Sequence, residues 1–171
     1  ENVTKQADKK ARRLALTLLE EALEAADPRI AISKHVKLSK DKKTLNIDGA
    51  RFNINQLGKL FVIGGGKAGG SMVEETEKLL GNRISEGCVS ILRGTREMFN
   101  TKFVELREAS HPMPGIENVE ATKKILAIVD KATPKDVILC LLSGGGSTLF
   151  TLPVSTVKLE DFQEVVRLLL R

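Results

Sequence analysis

The sequence contains no tryptophan and no tyrosine, and its aromatic side chains are six phenylalanines. Proteins that bind single-stranded nucleic acid stack the bases on aromatic side chains, and this chain offers few of them. It carries 27 Lys and Arg against 22 Asp and Glu, a net charge of +5 that is spread along the chain. We therefore expect no nucleic-acid partner, since mild basicity suits a small anionic substrate equally well.

Cysteine is scarce too, because the chain has only Cys88 and Cys140. Both lie in apolar strand patterns, where a small buried thiol is more common than a metal ligand or a nucleophile. No CxxC motif, signal-peptide pattern or long apolar run appears in the sequence. We expect a cytoplasmic protein with no membrane contact.

A glycine-rich loop after an apolar strand is the central feature of the sequence. The segment 59–63 reads as a buried parallel strand, and the glycines and lysine of 64–71 open a helix over 72–80. Glycine lets a phosphate approach the backbone closely, and the first turn of a helix presents N–H donors to an anion. The predicted phosphate-binding residues are Gly64, Gly65 and Gly66, with Lys67 as an added positive charge.

This first loop matches the dinucleotide-binding fingerprint at Gly64, Gly66 and Gly69. That fingerprint also requires an acidic residue at the tip of the next strand, to hold the ribose. The next predicted strand, 87–92, ends in Arg93 instead. The loop is not a Walker A motif either, because Ala68 follows Lys67 where Ser or Thr is needed. A tight turn with Lys67 as a solvated cation is the structural alternative.

A second glycine-rich loop follows another apolar strand, 136–142, which we expect to be buried. It offers backbone N–H groups and two hydroxyls to an oxygen-rich ligand. The predicted donors are Ser143, Gly144, Gly145, Gly146 and Ser147. Loops at the carboxyl ends of parallel strands meet in a crevice, so two such loops predict a ligand with several phosphate or carboxylate oxygens.

A histidine lies in a stiff segment between the two loops. His111 precedes Pro112, and Pro114 follows shortly after. Because proline restricts both itself and the residue before it, this loop presents His111 from a rigid backbone. His111 is a candidate cleft residue, and the alternative is that it only holds a neighbouring loop in shape.

The alternation of strands and helices predicts a three-layer α/β fold with a mainly parallel, Rossmann-like sheet flanked by helices. A small β-hairpin insertion near the N-terminus is expected over 35–55. The helix predicted over 4–26 has an apolar stripe, which packs in the core or meets a second subunit in a homo-oligomer. The other predicted elements are an edge strand over 102–107 and helices over 117–132 and 159–170.

Three motifs together resemble the glycerate 2-kinases of the MOFRL type. They span 62–68, 108–114 and 141–147, and they follow one another in the order and spacing of that family. The resemblance implies ATP-dependent phosphorylation of D-glycerate to 2-phosphoglycerate, and the reaction class implies Mg²⁺, for which the sequence identifies no ligands. It also implies a two-domain enzyme, in which 1–171 are part of the N-terminal nucleotide-fold domain and the C-terminal MOFRL domain is absent from this chain.

In that interpretation Lys67 is the catalytic cation that stabilises the transferring phosphoryl group. The sequence does not decide which of the two loops holds ATP and which holds glycerate. Two alternatives belong to other classes. An NAD(P)H-dependent hydroxypyruvate reductase would use the first loop for the pyrophosphate and Arg93 for a 2′-phosphate. A non-catalytic phosphosugar-binding module would keep both loops without turnover.

Overall fold

A computed structural model describes residues 6–171. Its helices are α1 (Gln6–Ala25), α2 (Pro28–His35), α3 (Gly69–Leu80), α4 (Ile116–Val129), α5 (Gly146–Leu149) and α6 (Leu159–Leu169). Its strands are β1 (Val36–Leu38), β2 (Thr44–Ile47), β3 (Ala50–Asn53), β4 (Leu60–Gly65), β5 (Ile84–Leu92), β6 (Glu105–Ala109) and β7 (Val137–Leu142). No helix in this part of the chain is both long and apolar enough to cross a membrane.

The main sheet is parallel, with the strand order β6-β5-β4-β7. From β4 the chain moves outward to β5 and β6, and it then returns to place β7 on the other side of β4. The strand order therefore reverses between β4 and β7. In open α/β sheets such a reversal marks the crevice where ligands bind, at the carboxyl ends of the strands.

The sheet is the middle of three layers, which confirms the predicted fold class. Alternate residues of β4 point to opposite faces, as the period of a strand requires. Leu60 and Val62 join the core formed with α2, α3 and the small sheet, whereas Phe61 and Ile63 pack with Ile125 and its neighbours on α4. Both faces of β4 are buried, so its apolar run is explained by its central position.

The predicted antiparallel insertion is confirmed as a three-stranded sheet in the order β1-β2-β3. A short helix that the sequence analysis missed, α2, precedes it. The pair Asp27-Pro28 follows the helix predicted over 4–26 and starts α2: the Asp27 side chain accepts a hydrogen bond from Arg29 N–H, and Pro28 occupies the first helical position.

Two burial expectations were wrong, and of the two alternatives for the stripe of α1, packing in the core is not observed. Strand β7 is at the edge of the sheet, so one of its faces is open, with Ile138 and Leu142 exposed. Cys140 lies on that face and is exposed, whereas Cys88 is buried and its burial raises the pKa of the thiol to about 12. The apolar stripe of α1 is not in the core of the described residues, because Leu14, Leu18, Leu19 and Leu23 are each more than half exposed.

Other predicted elements are observed close to their expected bounds. The edge position of the strand after the first βαβ unit is confirmed, although β6 begins three residues later than predicted. The predicted helices 117–132 and 159–170 are α4 and α6. Helix α1 was predicted to start at Thr4, and positions 4 and 5 lie outside the described residues.

Candidate phosphate-binding site

The two glycine loops lie side by side where the strand order reverses. Strands β4 and β7 are in register, with Gly64 opposite Leu141 and Gly65 opposite Leu142. The first loop (64–69) and the second loop (143–147) therefore leave the sheet together. This position is the one that the sequence analysis expected for a ligand with several oxygens.

The glycines of the first loop are needed for packing against the second loop. A Cβ on Gly64 would lie 1.9 Å from the Leu141 carbonyl oxygen, and one on Gly66 would lie 2.1 Å from Ser143 Oγ. Their φ angles, 151° and 142°, are also rarely adopted by other residues. These two glycines let β4 and β7 approach closely, whatever ligand binds nearby.

The backbone N–H groups of the first loop form hydrogen bonds within the protein. Gly66 N–H donates to Ser90 O at 3.1 Å, Lys67 N–H to Gly144 O at 2.9 Å, and Ala68 N–H to Ser143 Oγ at 3.0 Å. The expectation that the first loop points its N–H groups at a phosphate does not hold for these residues. A phosphate-binding role for Gly64, Gly65 and Gly66 stays a prediction, and it cannot use the Gly66 donor.

The second loop keeps its donors free. Among residues 6–171, the N–H groups of Gly144, Gly145 and Ser147 form no hydrogen bond with a backbone or side-chain acceptor. Gly145 has left-handed backbone angles, φ 83° and ψ −1°. Gly146 N–H donates a hydrogen bond to Ser143 O at 3.1 Å. A left-handed residue among otherwise ordinary ones makes a concave backbone segment, and such segments bind anions. Free N–H donors thus lie in the second loop.

Lys67 and His111 converge on this second loop. A Cβ built on Gly145 would lie 3.2 Å from His111 Cδ2 and 3.3 Å from both His111 Nε2 and Lys67 Cε. Lys67 is exposed and takes part in none of the ion pairs within the described chain. Burial, and secondly the Lys67 charge, lower the pKa of His111 below its usual value. The site therefore combines an unpaired cation with an imidazole whose neutral form is favoured.

The two serines differ in their contacts. Ser143 Oγ accepts the Ala68 N–H bond, so this side chain ties the loops together while its O–H stays available as a donor. Ser147 is exposed, and its carbonyl oxygen accepts a bond of 2.8 Å from Thr151 Oγ1, which fixes the end of the loop. Ser143 directly precedes Gly144, and Ser147 carries one of the free N–H groups itself.

The loop that carries His111 is held by residues that the sequence analysis missed. Asn118, which is fully buried in the first turn of α4, bonds to both ends of this loop and to Thr148, the residue directly after the second glycine loop. Beside it, Glu117 accepts hydrogen bonds from Ser110 and Arg93. The Ser110 bond first, then the backbone N–H of Glu117 and the Arg93 charge, lower the pKa of this carboxyl. The sequence signal that could have identified Asn118 is a polar residue in the first turn of an otherwise apolar helix.

The donor set of the site suits anions rather than metal ions. The residues that meet here supply a cation, backbone N–H groups and hydroxyls, and none of them is a carboxylate. Within residues 6–171 no group of three or more His, Cys, Asp or Glu side chains could hold a metal ion. Mg²⁺ is usually held by one or two carboxylates together with phosphate and water oxygens, and no carboxylate is among the residues that meet at this site, so we assign no protein ligand to it.

A parallel α/β sheet whose strand order reverses beside glycine-rich loops is an architecture in which phosphates and nucleotides are often bound. The model of the family described as a domain of unknown function (DUF4147) matches residues 14–171. The chain belongs to this family, the N-terminal domain of the MOFRL-type glycerate kinases.

Named relatives agree with this assignment. Over 94% of its length the chain is 36% identical to a glycerate 2-kinase of Pyrococcus horikoshii and 31% identical to a D-glycerate 2-kinase of Thermotoga maritima. The crystal structure of a Thermotoga maritima glycerate kinase superposes on 95% of the chain, with a TM-score of 0.75 and 30% identity. The chain spans about a third of each relative: 34% of the two sequences and 35% of the crystallised chain.

Proposed function

We propose that this domain binds the transferring phosphoryl group in an enzyme that phosphorylates D-glycerate with ATP to give 2-phosphoglycerate and ADP. The observation that carries the proposal is the convergence of Lys67, His111 and three free N–H groups on Gly145. Phosphoryl transfer needs positioning and charge neutralisation more than covalent chemistry from the protein. The names of the relatives supply the substrate, which the geometry alone does not specify.

In the reaction, the 2-hydroxyl oxygen of glycerate forms a bond to the γ-phosphorus, and the bond from that phosphorus to the β–γ bridging oxygen breaks. Lys67 would stabilise the charge on the γ-phosphoryl oxygens, a role that its exposure and its approach to Gly145 support. The N–H groups of Gly144, Gly145 and Ser147 would donate to the same oxygens, in the manner of an oxyanion hole. His111, with a lowered pKa, has a free lone pair to accept the hydroxyl proton.

Magnesium is part of the proposal only because ATP is usually bound to Mg²⁺ in this reaction class. The described residues provide no carboxylate set for it, so we assign no step to the ion. A second domain that closes over the site, as the family resemblance implied, is also part of the proposal, and the activity is therefore assigned to the complete gene product.

The reductase alternative is not favoured. Gly64 and Gly66, which would cradle a pyrophosphate, have their open sides filled by Leu141 and Ser143. Arg93, the residue that would hold a 2′-phosphate, forms an ion pair with Glu117. The non-catalytic binding module remains the outcome if the complete gene product binds phosphate but shows no turnover.

Product analysis tests the proposal. The complete gene product is incubated with ATP, Mg²⁺ and D-glycerate beside Lys67→Ala and a control, Lys123→Ala, which removes an exposed lysine on α4. Because one charge-stabilising donor is typically worth about 10²- to 10³-fold in kcat, we expect that loss in the Lys67 variant. The control should stay within about twofold, as expected for a surface substitution remote from the site.

Two results would overturn the proposal. One is the absence of phosphoglycerate from the unmodified protein. The other is a Lys67→Ala variant that turns over as fast as the Lys123→Ala control.

A further inference from the structure

We infer that Asn118 is a positioning residue that sets the distance between the His111 loop and the second glycine loop. Its Oδ1 accepts hydrogen bonds from Ser110 N–H and Gly115 N–H, both at 3.0 Å. Its Nδ2 donates to Ser110 O and Thr148 O, both at 2.8 Å. One buried amide therefore joins both ends of the loop 110–115 to Thr148, which is 30 residues from Asn118 in the sequence.

The hydrogen-bonding capacity of this side chain is completely used. An asparagine amide has two N–H donors and an oxygen that accepts two bonds, and all four are paired here. A buried polar network in which every member is paired fixes one arrangement, because any shift leaves a buried group unsatisfied. The side chain thus holds Ser110 and Gly115, the two ends of the His111 loop, at a fixed separation.

The bond to Thr148 links this loop to the proposed anion site. Thr148 directly follows Ser147, whose N–H is free, and Ser110 directly precedes His111. The Asn118 amide thus bonds one residue away from each side of the site. In the site itself, His111 Nε2 lies 3.3 Å from the position that a Cβ on Gly145 would occupy. The Asn118 amide connects the two segments that carry these residues.

This geometry gives Asn118 an effect on catalysis without contact to a substrate. A misplacement of about 1 Å at a reacting group can cost about 100-fold in rate. If Asn118 sets the His111 position, its removal lowers kcat for each folded molecule and leaves the rest of the α4 packing in place. The kinetic part of this inference rests on the proposed function, whereas the position of His111 does not.

Two variants and a matched control test the inference in the complete gene product. Asn118→Ala removes all four bonds, and Asn118→Asp keeps the volume and the two accepted bonds but loses the donation to Ser110 O and Thr148 O. The control is Thr122→Val, because Thr122 is a buried polar residue of α4 whose hydroxyl bonds only Asn118 O, at 2.9 Å, and touches neither loop.

The first readout is kcat, normalised to the folded fraction of each variant. We expect both Asn118 variants to lose about 10- to 100-fold, and Thr122→Val to stay within about threefold. The second readout is the His111 pKa by NMR. In Asn118→Ala, which adds no charge, this pKa should rise toward the usual value of about 6.5, because the imidazole moves away from Lys67 and toward water.

The results separate the two proposals. Asn118 variants that fold and match Thr122→Val in both readouts would overturn the positioning role. So would a loss of activity that follows only the unfolded fraction, or a failure of both Asn118 variants to fold, since either marks a purely structural residue. If the unmodified protein makes no phosphoglycerate, the proposed function fails, and the His111 pKa in Asn118→Ala still decides this inference.

Discussion

The two glycine loops each contain three consecutive glycines, and they use them in opposite ways. In the first loop the glycines allow close packing, since their missing side chains leave room for Leu141 O and Ser143 Oγ, and the N–H groups of 66–69 are paired inside the protein. In the second loop, Gly144 has open space around its Cβ position, and three N–H groups are free. A run of glycines can thus serve either the fold or the ligand.

Each loop makes a different kind of contribution to the proposed anion site. The first loop supplies a rigid base and the Lys67 side chain, whereas the second loop supplies backbone donors. An anion between them would be bound by a charge from one loop and dipoles from the other, a combination typical of phosphate sites.

The largest expected effect is on folding. Gly64→Ala places a Cβ against the Leu141 backbone and forces an unfavourable φ, so we expect a loss of about 3 kcal/mol or more in the free energy of unfolding. Gly144→Ala, its matched control in the second loop, should change this free energy by less than about 0.5 kcal/mol. Denaturant unfolding of both variants gives the comparison, and equal stabilities would contradict the packing role of the first loop.

The sequence predicted the elements around the site better than the state of its donors. A strand followed by glycines was recognisable at Gly64 and again after Leu142, because apolar runs and glycines are local signals. The pairing of the Lys67 N–H with Gly144 O depends on β7 lying next to β4, across more than 70 residues of sequence. Local patterns carry no information on that pairing.

Strand β7 also shows that local sequence patterns do not reveal which elements pack against a segment. Strand β7 was expected to be buried because its residues are apolar, yet alternate residues such as Ile138 and Cys140 are exposed. An apolar run does not say which strands flank it. The edge position of β6 was predictable because charged residues such as Glu105 and Arg107 alternate with apolar ones.

A smaller expected effect concerns the pH dependence of His111. Burial and then Lys67 lower its pKa, so the unfolded chain binds a proton at a higher pH than the folded one. The contribution of neutral His111 to stability is therefore complete above the unfolded pKa of about 6.5, and it is lost as the pH falls through the folded value.

Lys67→Met should raise the His111 pKa only in part, since burial is the larger cause. An NMR titration of the His111 ring in both proteins measures the change. A His111 pKa that is identical in the two proteins would show that the Lys67 charge does not reach the imidazole, and the two loops would then not form one site.

The most direct test of the account is which loop responds to an anion. The complete gene product, labelled with ¹⁵N-glycine, is titrated with inorganic tripolyphosphate, and Gly144→Ala and Gly145→Ala identify the signals of the second loop. We predict that the N–H signals of Gly144 and Gly145 shift on binding while those of Gly66 and Gly69 stay nearly unchanged, because the latter are already paired. Shifts confined to Gly66 and Gly69, with Gly144 and Gly145 unmoved, would contradict the central claim that the second loop binds the phosphate.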